Sequence, residues 1–346
     1  MSFTHDVLLL GHGLAGAAWL EECWRRGLRV AVLSERRDGE ASRVAAGVVN
    51  PVVLRRIVPS WRAHDMLRIA QPFYRSVEER EGVRLWHDLP MSEIFVNEQM
   101  VKQWRTREAD AELAGLVQPG VRAGSPAPGI RAAHGYGAVQ QCAWLDVPAY
   151  LDVQTARLQR SQDLFIGEVN ESDIISTPDG VRIRDRSAPL LVRCEGPFAQ
   201  LPGLVPVKGE TLVLRIPGLG LGSMVHRGIF ILPLDDDRYR IGATFKWDDV
   251  HEGPTDEARR WLLERLSALL EPEFLPRVEV LAHEAGVRPA AKDRRPILGR
   301  IAEHQAVLNG LGSRGVMLAP WSARQLAAHL FDGAPLDPEV DVARSF

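Results

Sequence analysis

Apolar positions fall into three patterns along the chain, and each predicts a different element. Val7-Leu8-Leu9-Leu10 and Val30-Ala31-Val32-Leu33 are apolar without alternation, the mark of strands covered on both faces of a parallel sheet. Between them, residues 17–26 carry Ala, Leu and Trp at helical spacing, and Gly27 supplies a C-cap. Helical spacing returns over 61–81, with Met66, Leu67, Ile69, Ala70, Phe73, Tyr74 and Val77 on one side, Ser60 as cap, Gly82 as stop and Pro72 as a kink point. It returns again over 255–270, where Ala258, Leu262, Leu263, Leu266 and Leu270 form one face. A small helix is expected over 105–116, and another begins after Asp146, a good N-cap, with Pro148 in its first turn. The third pattern is strand-like. It covers 207–216 and a hairpin of Ile229-Phe230-Ile231-Leu232-Pro233, an Asp235-Asp236-Asp237 turn and 239–245. Short strands are expected over 94–96, 164–169 and 188–192, the last running into Cys194-Glu195-Gly196.

The first strand and helix are joined by Gly11-His12-Gly13-Leu14-Ala15-Gly16. Gly11 suits the tight turn, Gly13 a close backbone approach to a pyrophosphate, and Gly16 close packing of helix on strand. The free N–H groups and positive dipole of the helix start, at Leu14 and Ala15, then favour phosphate. The second strand ends at Ser34-Glu35, about 20 residues on, where an acid can accept both ribose hydroxyls. Arg36 and Arg37 suggest a 2′-phosphate, but Glu35 would repel one, which leaves FAD or NAD, with Arg36 expected beside the cofactor. In the small-residue loop 41–51, Ser42 is placed to bond a phosphate, and Ala46 and Gly47 to approach a flat ring; helix packing explains that loop equally well. Near the far end, Val307-Leu308-Asn309 runs into Gly310-Leu311-Gly312-Ser313-Arg314-Gly315, with a helix expected over 321–331. This repeat of strand, glycine turn and helix points a second helix start at the same cofactor. The dinucleotide domain is therefore expected to be discontinuous.

With 346 residues, the chain fits two lobes. Its 45% hydrophobic and 25% charged residues are ordinary for a soluble globular protein, and a net charge of -3 gives no footprint for nucleic acid. Cys23, Cys142 and Cys194 lie far apart, so neither a zinc site nor a disulfide framework is indicated, and reduced thiols are expected. The first strand begins so early that no signal peptide is expected, and no apolar run approaches a membrane span. A cytoplasmic location with no membrane partner follows as the expectation; oligomeric state is left open.

The motifs together resemble the FAD-dependent D-amino-acid oxidase superfamily, especially its glycine oxidase and sarcosine oxidase branch. The resemblance runs through GHGLAG with Glu35, SRVAAGVVNP, KGETLVL at 208–214, RYRIGATF at 238–245, GVRPAAKDRRPILG at 286–299 and GLGSRGVMLAP at 310–320. The GLGSRG segment also resembles the oxidase domain of the bifunctional enzymes that modify the wobble uridine of tRNA. The implied fold is α/β: a discontinuous Rossmann-like FAD-binding domain (1–82, 140–200 and 285–346) and an antiparallel-sheet α+β substrate domain (83–139 and 201–284). The implied activity is oxidation of the C–N bond of a small or N-substituted amino acid. Hydride passes to flavin N5, the imine hydrolyses, and O2 or another acceptor reoxidises the flavin.

Residue roles follow from the same resemblance. Arg288 matches the arginine that grips the substrate carboxylate, for which the guanidinium fork is suited; a salt bridge to Asp293 is the alternative. Gly312, Ser313, Arg314, Gly315, Val316 and Met317 are expected to wrap the flavin through backbone N–H groups. Val169 matches a backbone contact to adenine, and Gly196 a glycine near the pyrophosphate. Gly286 stands where covalent sarcosine oxidases carry cysteine, so non-covalent FAD is expected. Phe230 replaces a tyrosine that contacts substrate in some relatives. Arg240 matches an oxygen-activating lysine of others, with an exposed strand arginine as the alternative. His226 and His283 flank expected strands, and either is more simply a satisfied histidine than a catalytic one. The rivals are tRNA wobble-uridine oxidation, a flavin-binding regulatory subunit and a nicotinamide dehydrogenase.

Overall fold

A computed structural model describes residues 3–345, and among these the chain forms two main sheets that both border one cavity. The first sheet runs Leu164–Ile166, Val30–Ser34, Val7–Leu10, Leu191–Arg193, Gln305–Asn309 and Ile297–Ala302. Its first five strands are parallel and the last is antiparallel. Both faces are covered, which is why the first two strands are uniformly apolar. Val7, Leu9, Val30 and Val32 face the core shared with helices Leu14–Arg25, Ala63–Glu81 and Gly315–Asp332. Leu8, Leu10, Ala31 and Leu33 face a small antiparallel sheet carrying Val181, Ile183 and Ala188. The strands of the six-stranded sheet come from the start, middle and end of the chain.

The second sheet runs Glu279–Ala291, Leu204–Arg215, Arg238–Gly242, Phe230–Pro233, Met224–His226, Met91–Ile94, Tyr136–Val139 and Val117–Arg122. It is antiparallel except where Met224–His226 pairs in parallel with Met91–Ile94. One face carries Leu212, Leu214, Val225, Ile231 and Ile241, and helix Asp256–Ser267 covers it through Leu262 and Leu266. The other face borders the cavity. The strand through Arg288 belongs to this sheet as far as Ala291, so the boundary expected at 285 falls inside a strand.

Three helices differ from expectation for identifiable reasons. The helix expected over 105–116 is instead Glu98–Arg107, because the Asn97 side chain caps it by accepting the Met100 N–H at 3.0 Å; one 3₁₀ turn, Ala111–Leu113, follows. The helix expected from 61 starts at Ala63, after Arg62 in a left-handed conformation, with Ser60 ahead of it. The helix expected from 321 starts six residues earlier, at Gly315, and carries Pro320 inside it. Proline has no N–H for the carbonyl of Val316 four residues back. The buried Tyr74 hydroxyl fills that gap, donating to Val316 O at 2.9 Å. Tyr74→Phe is therefore expected to cost about 1–3 kcal/mol, the penalty of one buried unsatisfied acceptor. Urea unfolding reads this directly, and an unchanged midpoint would refute it.

Candidate active site

Both glycine turns open onto one cavity of about 410 Å³. At the first turn, a Cβ at Gly16 would lie 2.1 Å from Gly11 O, so helix and strand approach as only glycine permits. The helix Leu14–Arg25 has lost one free donor, since the Leu14 N–H donates to Ser42 Oγ at 2.9 Å. Ala17 N–H turns back to Gly13 O at 2.8 Å, which leaves the N–H groups of Ala15 and Gly16 without a partner among the described residues. Unsatisfied donors at a helix start form an anion site. Ser42 thus completes the helix cap and keeps its own hydroxyl proton free to donate. His12, between the glycines, places Nε2 3.2 Å from Gln154 Oε1; burial pushes its pKa down to about 4, so it is neutral.

From that turn the cavity runs past Glu35, at the end of the second strand, and on to Val169 and Gly196. Glu35 is paired with Arg37, whose Nε donates to it at 2.7 Å. Arg37 lines the cavity; Arg36, expected beside the cofactor, is exposed and is not part of the lining. Ala46, Gly47, Gly312, Ser313, Arg314, Gly315, Val316 and Met317 line the other end. Because the last helix begins at Gly315, its first N–H groups start at the cavity wall.

Arg288 enters from the second sheet. A Cβ at Gly209, on the neighbouring strand, would lie 2.0 Å from Arg288 Nη2, so the absence of a side chain at 209 makes the space that the guanidinium occupies. Phe245 lies under it at 4.4 Å from the ring centre, and Nη1 donates to Thr244 O at 3.2 Å. No carboxylate among the described residues pairs with Arg288. Asp293, the alternative partner, is held by Arg344 at 2.9 Å. Burial lowers the Arg288 pKa to about 10. Arg314 is similar: burial, then repulsion from Arg294, lowers it to about 10, and its Nη1 donates to Asn50 O at 2.6 Å. Its side chain, as well as its backbone, therefore belongs to the cavity wall.

Phe230 lines the cavity, half-buried. Arg240 is on the cavity face of the same sheet but outside the lining, paired with Glu284 and donating to Thr211 Oγ1 at 3.2 Å and Val44 O at 3.4 Å. That is a satisfied arginine rather than one free to meet a reactant. His226 lines the cavity, whereas His283 is on the opposite face, its Nε2 2.9 Å from Glu210 Oε2. Gly209, Phe245 and Glu93 were not predicted; Gly209 and Glu93 enter through strand pairing and Phe245 through the irregular segment after Gly242, and local sequence patterns register neither.

These residues fit an elongated anionic dinucleotide: unpaired helix N–H groups, an acid at the ribose position and a second helix start at the far end. The sequence model of the family described as DAO, FAD dependent oxidoreductase, matches residues 6–329. The chain belongs to this family. It is an FAD-dependent oxidoreductase. The tRNA 5-methylaminomethyl-2-thiouridine biosynthesis bifunctional protein MnmC of Burkholderia thailandensis is 25% identical over 99% of this chain, which spans 59% of that protein's length. Glycine oxidase from Geobacillus kaustophilus shares the fold with a TM-score of 0.78 at 22% identity, covering 99% of this chain and 98% of its own. Iminodiacetate oxidase from Chelativorans sp. BNC1 does so with 0.77 at 21%, covering 98% of each. No helix among the described residues is long and apolar enough to cross a membrane.

Proposed function

We propose that the enzyme oxidises the C–N bond of a small amino acid or N-substituted amino acid. The observation that carries this reading is Arg288, a cation in the cavity with no acid beside it. A buried guanidinium without a counter-charge is costly, and a substrate carboxylate supplies the missing charge through two parallel hydrogen bonds. Phe245 and Gly209 hold the guanidinium plane, and Thr244 O fixes its rotation. FAD, when bound, supplies the acceptor for the two electrons of C–N oxidation. The chain's part is then placement: Arg288 fixes the α-carbon, and Phe230 and Phe245 keep water from the reacting face.

The cofactor roles proposed for the chain are as follows. Ala15 and Ser42 donate to the pyrophosphate, with Gly11 and Gly13 shaping the turn, Gly16, which is not part of the lining, letting the helix approach the strand, and Leu14 fixing Ser42. Glu35 accepts from the ribose, Val169 and Gly196 flank the adenosine half, and residues 312–317 donate to the flavin edge. The FAD-binding part comprises 1–82, 140–200 and the end of the chain, and the substrate part the rest. Binding is non-covalent: a Cβ at Gly286 would lie 2.2 Å from Val44 Cγ2, so that position has no room for a cysteine. Cys194, which does line the cavity, has its thiol pushed far up by burial and is no nucleophile.

Purified protein is expected to be yellow and to release all its FAD on denaturation; flavin that stays with the unfolded chain would refute the non-covalent assignment. Anaerobic mixing with glycine, sarcosine, iminodiacetate, proline and D-amino acids is expected to bleach the flavin with at least one of them. Oxidation of a wobble-uridine side chain is the second reading, supported by the likeness to MnmC over nearly the whole chain. Bleaching by modified tRNA alone would decide for it. Oxygen consumption during turnover separates an oxidase from a dehydrogenase.

A further inference from the structure

Besides Arg288, a second ionisable side chain, His226, lines the cavity without a task. His226 and Glu93 are direct partners across a parallel strand pair. His226 Nδ1 lies 2.5 Å from Glu93 Oε2, and the carboxylate is buried. As that carboxylate can only accept, Nδ1 carries the proton, and Nε2, which makes no hydrogen bond among the described residues, is left for the cavity. Burial works against the imidazolium and Glu93 favours it; the net direction of its pKa is upward, so Nε2 is biased toward being a donor.

Strand register sets where this donor stands relative to Arg288. A single cross-strand row reads Glu93, His226, Phe230, Gly242, Thr211, and directly paired residues share a face. The Arg288 guanidinium lies over Gly209, on the strand of Thr211. From that strand to the strand of His226 is three strand spacings, roughly 14 Å at ~4.8 Å each. Gly242 contributes no side chain to the floor between them, and the Phe230 ring covers part of it. A glycine-sized ligand held by Arg288 would leave the other end of this trough unused.

We propose that His226 Nε2 is a second substrate anchor, binding an acceptor oxygen on the nitrogen substituent while Arg288 holds the carboxylate. The substrate is then a secondary amine extended in both directions, with a carboxylate at one end and a carboxylate or carbonyl oxygen at the other. Glu93 is a positioning residue that fixes the ring and its protonation. This inference rests on the amine-oxidising reading above.

The test uses holoenzyme and three N-substituted glycines of matched shape: N-(2-carboxyethyl)glycine, its terminal amide and N-(3-methylbutyl)glycine. Anaerobic flavin bleaching against concentration gives an apparent Kd for each. At least one of the two oxygen-bearing compounds is expected to bind about tenfold or more tightly than the alkyl one, the scale of a hydrogen bond to a charged group; which of them does so separates carboxylate from carbonyl. In His226→Phe that preference should collapse to within about twofold, and Glu93→Gln, which keeps the shape of the pair, should reduce it several-fold. Equal affinities in the unaltered enzyme, or a preference that survives both substitutions, would overturn the second anchor while leaving amine oxidation standing. If none of the three bleaches the flavin although glycine or sarcosine does, the anchor again falls alone. If no amine of any kind does, both fall.

Discussion

Arg288→Met is expected to abolish most of the activity while leaving FAD bound and the fold no less stable. Truncating one partner of a buried, hydrogen-bonded charge pair costs about 2–5 kcal/mol of binding. At 1.4 kcal/mol per factor of ten, kcat/KM should fall between roughly 30-fold and 4000-fold. The stability half of the prediction separates a binding arginine from a structural one. The folded pKa of Arg288 is lowered to about 10 by burial, well below that of the free side chain. For a base shifted downward, the folded state disfavours the charge at every pH below the folded value, and stability returns only as pH rises through that value. At neutral pH the guanidinium thus costs stability until an anion arrives. Methionine fills similar space against Phe245 without that charge, so the substrate-free variant should unfold at the same urea concentration or a higher one. A clear loss of stability with normal turnover would show that the arginine serves the fold instead.

The same residue shows how far the sequence can be read. The strand, turn and helix at 7–25 were legible because each signal is local: an unbroken apolar run, glycines at fixed offsets, then helical spacing. The second turn at 310–315 was legible for the same reason. Its helix began earlier than expected because Pro320 reads locally as a break, while the group that offsets it, the Tyr74 hydroxyl, is 242 residues away from Val316 in the chain. Arg288 was singled out through family resemblance. What gives it room, a missing side chain at Gly209, depends on strand register and has no local mark. Glu93 was missed because its partner His226 is 133 residues away, and a lone buried glutamate in a short strand gives no pattern to read. Arg36 and Arg37 illustrate the opposite limit. Both were visible, but which of two adjacent arginines turns toward a cavity is decided by backbone direction after the strand ends, and there it is Arg37.

Glu210→Ala is expected to be the most destabilising single change outside the cavity. Lys208 and Glu210 are almost fully buried on the sheet face opposite Arg288, 3.2 Å apart. Lys208 Nζ also donates to Gly253 O at 2.6 Å. Glu210 accepts from the Thr255 N–H at 2.8 Å and the Thr255 hydroxyl at 3.0 Å, and His283 Nε2 lies 2.9 Å away. Removing the carboxylate leaves a buried ammonium with one carbonyl and frees the Thr255 N–H, a loss of about 3–5 kcal/mol. Lys208→Met should cost less, because the carboxylate keeps its other donors. The double variant Lys208→Met with Glu210→Leu should recover much of the loss, since no buried charge is left unpaired. Equal destabilisation by all three would mean that packing, not charge pairing, is at stake. The cluster also bears on the active site. It fastens the far end of the segment that begins at Ala243 and carries Thr244 and Phe245, the two contacts that hold the Arg288 guanidinium. Thr244 is tied to the same strand, its hydroxyl accepting the Glu210 N–H at 2.9 Å. Loosening that segment frees the guanidinium plane before the fold is lost, so Glu210→Ala should raise the apparent KM at temperatures where the enzyme is still folded.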